Sequence, residues 1–173
     1  EVGVAFEACA KLQELGYLVG INLMQVADRS DDEISYVGEQ ASVVGPDVLY
    51  FADSLGSMDS AQATKVIRVL RSRWSGPIGI HAHDNMGLAL MNTLHALDEG
   101  VTWVDATVAG MGRGAGNCPM ELLIGFLRNP AYRVRPVLQV LQNHFVELQD
   151  KLEWGALVPY NITGQLNQHP RTA

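Results

Sequence analysis

Four short apolar runs, each introduced by a glycine and each followed by a helical pattern, constrain this chain more than any other feature. The runs are 17–24 (YLVGINLM), 47–52 (DVLYFA), 77–83 (PIGIHAH) and 101–108 (VTWVDATV), behind Gly16, Gly45, Gly76 and Gly100. All are of strand length. The spacing around them predicts helices. One covers 3–15, with Val4, Ala8, Leu12 and Leu15 on one stripe. A second runs from Asp31 to about Val44, with acids in its first turn as the helix dipole prefers. A third is capped in the Ser57–Ser60 region and runs to about Trp74, and a fourth covers 86–98. A short helix at 119–127 and a longer amphipathic one at 134–153 follow; the tail from Trp154 reads as irregular. Strands alternating with helices form a parallel sheet in an α/β domain. Their near-continuous hydrophobicity is that of strands buried on both faces. Two architectures fit: an open doubly wound sheet, or part of a (β/α)8 barrel.

Both architectures hold ligands at the C-terminal ends of the strands, and polar residues gather there. They are Asn22 and Gln25, Asp53 and Ser54, His81 through Asn85, and Asp105 with Thr107. A shared site is one reading; strand ends that simply meet solvent is the other. His81-Ala82-His83 is the sharpest signal. Side chains at i and i+2 of a strand point the same way, so both imidazoles aim at one point while Ala82 faces the helices. Two neutral imidazoles make a divalent-metal pair that needs a further ligand from another strand. Asp84 follows directly and is placed to orient a ring.

The remaining candidates carry two readings each. Asp53-Ser54 suits either a substrate contact, with Ser54 donating to a carboxylate, or a capped turn. The alternating glycines of 110–117 (GMGRGAGN) suit a close backbone approach to a phosphate, a tight loop presenting Asn117, or plain turning. Cys118 has no basic partner in the pattern and reads as a small buried thiol rather than a nucleophile. His95 and His144 lie inside helices and read as ordinary surface or core residues. In the tail, which runs through Val158 to Arg171, Tyr160 follows Pro159. A tyrosine over the strand mouths can act as acid or base, and hydrophobic docking of the tail explains it equally simply.

Composition narrows the class. The 173 residues suffice for one sizeable core, so one domain is expected. A formal charge of −7 with no basic run argues against nucleic acid or an anionic membrane surface as partner. Two cysteines make no disulfide framework, so a reducing, cytoplasmic setting is the expectation. No apolar stretch reaches the ~20 residues that span a bilayer. The chain opens at Glu1, inside what reads as a helix.

The segments INLMQ (21–25), YFADSLGSM (50–58), GIHAHDNMGLAL (79–90) and WVDATVAGMGRGAGNCPMELL (103–123) resemble the metal-dependent aldolase–lyase barrels related to 4-hydroxy-2-oxovalerate aldolase and hydroxymethylglutaryl-CoA lyase. The resemblance covers roughly residues 1–130 and is nearest the aldolase branch. It implies a (β/α)8 TIM-barrel fold and cleavage of a 4-hydroxy-2-oxo acid to pyruvate and an aldehyde, through an enolate stabilised by a divalent metal. Mn2+ is the first expectation, with Mg2+, Co2+ and Zn2+ as the other ions. By the resemblance His81 and His83 are metal ligands, and Asn117 matches the metal asparagine of the lyase branch. Ser54, with His81, contacts the 2-oxo acid, and Tyr160 is the catalytic tyrosine. Cys118 does not occupy the lyase branch's catalytic cysteine position. The resemblance also implies a homo-oligomer, and some aldolases of this kind work with an acylating aldehyde dehydrogenase. Two alternatives stand beside it: an acyl-CoA lyase or synthase of the same barrels, and a non-catalytic half-barrel that binds metal or a partner chain.

The family's strand-1 Arg-Asp pair and its following histidine have no counterpart in these 173 residues, which fall short of the ~250 of a full barrel. The expectation is therefore the C-terminal half of an enzyme. Residues 1–130 would supply strands 5 to 8 with their helices, and 131–173 a helix and tail packed on the barrel.

Overall fold

The computed structural model describes residues 2–170; Glu1 and Arg171, to which the sequence reading extended, lie outside the described residues. Four strands, β1 (Gly20–Leu23), β2 (Val48–Asp53), β3 (Ile78–Ala82) and β4 (Trp103–Val104), form one parallel sheet in the order β1-β2-β3-β4. Between them run α1 (Val2–Glu14), which leads into β1, then α2 (Asp31–Val44), α3 (Ser60–Arg71) and α4 (Ala89–Asp98). The helices pack on one another in the same sequence, α1 on α2, α2 on α3 and α3 on α4. A doubly wound sheet reverses its strand order at a switch point; this one does not. Unbroken order with neighbouring crossover helices is an arc of a (β/α)8 barrel.

Local chemistry explains the boundaries. Ser30 and Glu33 form a reciprocal capping box that starts α2, and Gly45, at φ 71°, ends it. Asp59 and Gln62 do the same for the start of α3. The core lies between the strands and this helical layer. Leu49, Phe51, Ile78, Ile80 and Ala82 are essentially buried and join Phe6, Ile34, Val37, Val66, Ile67 and Leu70 from the helices. The opposite face departs from the expectation of burial on both sides. Asn22 is exposed, Tyr50 half-buried and Trp103 48% exposed, because four strands are an arc and do not close around an interior.

Beyond β4 come a 3-10 turn (Val108–Gly110), α5 (Met120–Leu127) and α6 (Val134–Val140). A π-helical turn (Leu141–Phe145) joins α6 to α7 (Val146–Leu152). The tail is not irregular as expected: Val158–Gln165 is a helix, α8, with Pro159 in its first turn. The tail folds back on the strand ends. Trp154 is buried and donates its indole N–H to the Ala109 carbonyl at 2.9 Å, and Asn161 donates to the Asn85 carbonyl at 2.7 Å. Among the described residues no helix is long and apolar enough to cross a membrane.

Candidate active site

The C-terminal ends of β2, β3 and β4 converge on His81 and His83. As the strand period requires, both rings leave the same face of β3, 5.1 Å apart between centroids and edge to face. Ala82, between them, is turned into the core at 1% exposure. His83 is pushed down to about 4, by burial first and then by the charges of His81 and Arg113, so its ring is neutral near pH 7 with a lone pair to give. The carboxylate that meets the pair is not the neighbouring Asp84, as the sequence suggested. Asp84 instead accepts from the Ala89 backbone N–H at 2.9 Å and caps the start of α4. The ring partner is Asp105, just past β4, whose Oδ2 lies 3.0 Å from His81 Nδ1.

Asn117 comes from the glycine loop, bridged backbone to backbone with His83. Its Nδ2 donates to the Met111 carbonyl at 3.1 Å, while its Oδ1 is buried with no hydrogen-bond partner. An orphaned buried carbonyl oxygen costs about 1–3 kcal/mol, which a bound cation would offset. At its two ends the loop's backbone serves the loop's own folding. The N–H groups of Gly110, Met111, Ala115, Gly116 and Asn117 are all spent on partners within the protein. A Cβ on Gly112 would lie 2.6 Å from Asn117 Nδ2.

On β2, Asp53 is buried at 2% exposure and accepts from the Ser57 and Met58 N–H groups, each at 3.1 Å. The capped-turn reading of that residue is therefore correct, and burial pushes its carboxyl up to about 6. Ser54 Oγ accepts from the Gln25 N–H at 2.9 Å, where Gln25 takes a left-handed φ of 53°. Among the described residues Ser54 Oγ donates no hydrogen bond. Arg113, at the tip of the glycine loop, reaches the Ser54 carbonyl at 3.5 Å and has no carboxylate partner among the described residues. The sequence reading missed Arg113; its signal was a lone cation inside an otherwise neutral loop. Cys118 is fully buried and pushed up to about 11, an inert thiol as expected. His95 meets Thr64 Oγ1 at 2.6 Å, away from the strand ends, also as expected. Tyr160 sits half-buried in the first turn of α8, whose Asn161 touches the strand-end loop. No hydrogen bond among the described residues joins its side chain to His81 or His83.

Two imidazoles and one unpartnered amide oxygen fit a borderline-hard divalent ion. Among the described residues no three His, Cys, Asp or Glu side chains group into a metal site; the polar atom left without a partner beside the pair is Asn117 Oδ1. In (β/α)8 barrels ligand sites lie at the C-terminal ends of the strands, which is where these residues sit. The HMGL-like family model matches residues 2–147, and the chain belongs to that family. A 4-hydroxy-2-oxovalerate aldolase from Pelotomaculum thermopropionicum is 36% identical over 134 residues, covering 78% of this chain and 40% of that protein. The like-named protein of Thermus thermophilus is 45% identical over 96 residues, 53% of this chain and 28% of its own. Among solved structures, the N-terminal domain of a candidate aldolase from Bacteroides vulgatus superposes with a TM-score of 0.86 at 31% identity. That match covers 97% of this chain and 57% of the other. The HMG-CoA lyase of Bacillus subtilis shares the fold, with a TM-score of 0.77 at 20% identity over 93% of this chain and 58% of its own. The chain thus spans about two fifths or less of the curated relatives it matches.

Proposed function

We propose that this chain carries the metal-binding half of an aldolase that cleaves a 4-hydroxy-2-oxo acid into pyruvate and an aldehyde. The observation that carries the reading is the convergence of His81 and His83 beside the buried, unpartnered Oδ1 of Asn117. The relatives named 4-hydroxy-2-oxovalerate aldolase support the substrate class. His81, His83 and Asn117 would hold a divalent ion, with Mn2+ first among those that accept such donors. When bound, that ion supplies a Lewis acid for the negative charge that develops on the 2-oxo group.

The remaining work falls to the chain's own side chains. Ser54 donates its free hydroxyl proton to the substrate carboxylate, held in place by the Gln25 N–H behind it. Arg113 adds a guanidinium to the same rim. Breaking the C3–C4 bond requires a base for the C4 hydroxyl proton and an acid that returns a proton to C3. Tyr160 performs one of these transfers, carried by a tail that packs on the strand-end loop.

The test pairs this chain with the N-terminal half of a 4-hydroxy-2-oxovalerate aldolase and measures pyruvate release from 4-hydroxy-2-oxovalerate. Mn2+-dependent, chelator-sensitive release that His81→Ala abolishes is the expected result. Release unchanged in His81→Ala and His83→Ala, or turnover only with an acyl-CoA, sinks the reading. Metal binding without turnover in the paired barrel would favour a binding module instead.

A further inference from the structure

We propose that Tyr50 and Asp105 form a positioning relay that fixes His81 as the Nδ1–H tautomer and so aims its Nε2 lone pair into the site. Only the consequence for metal affinity rests on the aldolase reading; the tautomer follows from contacts within the chain. The relay draws on three adjacent strands. His81 lies on β3, Asp105 follows β4, and Tyr50 lies in the middle of β2 on the same open face of the sheet.

Register brings them together. Tyr50 pairs with Gly79 and Ala52 with His81, so the phenol lies one step below the imidazole. Gly79 allows this packing: a Cβ there would stand 2.5 Å from Tyr50 Cε1. Without a side chain at Gly79, the phenol ring lies over that strand, between β2 and the segment that carries Asp105. Asp105 is held beside β3 by its own N–H, which donates to the Ile80 carbonyl at 3.2 Å. Its Oδ2 then meets His81 Nδ1 at 3.0 Å. Burial first, and then the nearby Asp105 carboxylate, push the Tyr50 phenol up to about 12, so it remains a donor at neutral pH. A carboxylate is acceptor-only, so a phenol donor on one side and His81 on the other leave a single consistent proton arrangement. Tyr50 O–H donates to Asp105, and His81 Nδ1–H donates to Asp105. A ring fixed in this way needs no reorientation when its other nitrogen takes a ligand. Tyr50 and Asp105 touch neither substrate nor ion in this arrangement and are positioning residues.

The experiment uses the full chain, 15N-labelled and metal-free. Long-range 1H–15N correlations report which ring nitrogen of His81 carries the proton, and a separate titration with Mn2+ alone reads affinity. Wild type is expected as Nδ1–H. Asp105→Ala is expected to move His81 toward Nε2–H, the form free histidine favours, and to weaken Mn2+ about 10- to 100-fold. Asp105→Asn should retain part of both effects. Gly79→Ala should reproduce Tyr50→Phe, with a smaller tautomer shift, because it displaces the phenol without removing it. His81 protonated on Nε2 in wild type would overturn the relay. So would an Asp105→Ala variant, or a correctly folded Asp105→Asn variant, with wild-type tautomer and Mn2+ affinity. Nδ1–H in wild type with no Mn2+ binding at all would uphold the relay and remove the metal reading instead.

Discussion

Replacing Asp53 by asparagine should tilt the pH dependence of stability without disturbing the fold. Burial pushes the Asp53 carboxyl from 3.8 up to about 6, against the softening effect of the N–H groups of Gly56, Ser57 and Met58. The folded protein therefore holds a proton on Asp53 between about pH 4 and 6, where the unfolded chain does not. Linkage then fixes the sign: this group adds stability as pH falls through 6 toward 4, and above 6 the buried charge costs stability. At 1.36 kcal/mol per tenfold change in proton affinity, the full swing is about 3 kcal/mol. His83 acts in the opposite direction. Its pKa is pushed from 6.5 down to about 4, so below about 6.5 the unfolded chain takes a proton that the folded one refuses. This destabilises on acidification by a similar amount. The two contributions nearly cancel in wild type, and Asp53→Asn removes one of them. Urea unfolding of both proteins in the presence of a chelator, from pH 7 down to pH 4, measures the difference directly. Wild type should gain about 2.4 kcal/mol on Asp53→Asn across that range, whatever the offset between them at pH 7, because the unfolded carboxyl is itself partly protonated by pH 4. Parallel profiles would refute the reasoning, since they would mean that Asp53 titrates as an ordinary carboxylate despite its 2% exposure.

Three further outcomes follow from the same contacts. Gly116→Ala should cost at least about 2 kcal/mol in thermal or urea unfolding, because its φ is 99° and the new Cβ collides with the Gly110 carbonyl oxygen. Asn85→Ala should cost about 3 kcal/mol by the same measurement. It strands the Leu55 carbonyl and the Ala115 N–H, both buried partners of the Asn85 amide. In the paired barrel, Arg113→Ala should raise KM for the 2-oxo acid about tenfold and leave kcat within a few-fold, whereas loss of kcat alone would remove Arg113 from substrate binding.

What the sequence made legible tracks how local each determinant is. The bounds of α2 follow from Ser30, Glu33 and Gly45, all readable from a few neighbours. The direction of His81 and His83 follows from strand alternation alone. The run 101–108, by contrast, joins the sheet only at Trp103 and Val104, where β3 is its neighbour, while Thr107 bridges instead to Pro119 after the glycine loop. Apolar content cannot report which edge will be satisfied. Helix α8 escaped because it is eight residues long, contains Pro159 and has no side-chain cap. Its helicity comes from docking on the strand ends. The role of Asp84 was misread for the same reason. The ring's carboxylate arrives from the next strand, 24 residues further on, while the nearer acid is used by the first turn of α4. Tyr50 looked like one of five apolar residues in its strand; only the register with Gly79 shows that its ring lies over β3, toward the Asp105 side.

Asn85 explains how these separate elements act as one site. It is fully buried, and its amide binds the Leu55 carbonyl after β2 and the Ala115 N–H in the glycine loop. Its backbone carbonyl accepts from Asn161 in α8. A Cβ on Gly114 would stand 2.7 Å from its Oδ1, and one on Gly164 would stand 3.0 Å from its Cβ. The residue two positions after His83 therefore ties together the loop that carries Asn117, the strand end that carries Ser54 and the helix that carries Tyr160. A satisfied buried amide is costly to disrupt from any side, so the positions of these three side chains are coupled. The tail thereby becomes part of the site's geometry: loosening α8 releases a hydrogen bond on the same residue that holds the loop beneath Asn117. Truncation before Val158 should therefore weaken Mn2+ binding even though the tail supplies none of the three proposed donors.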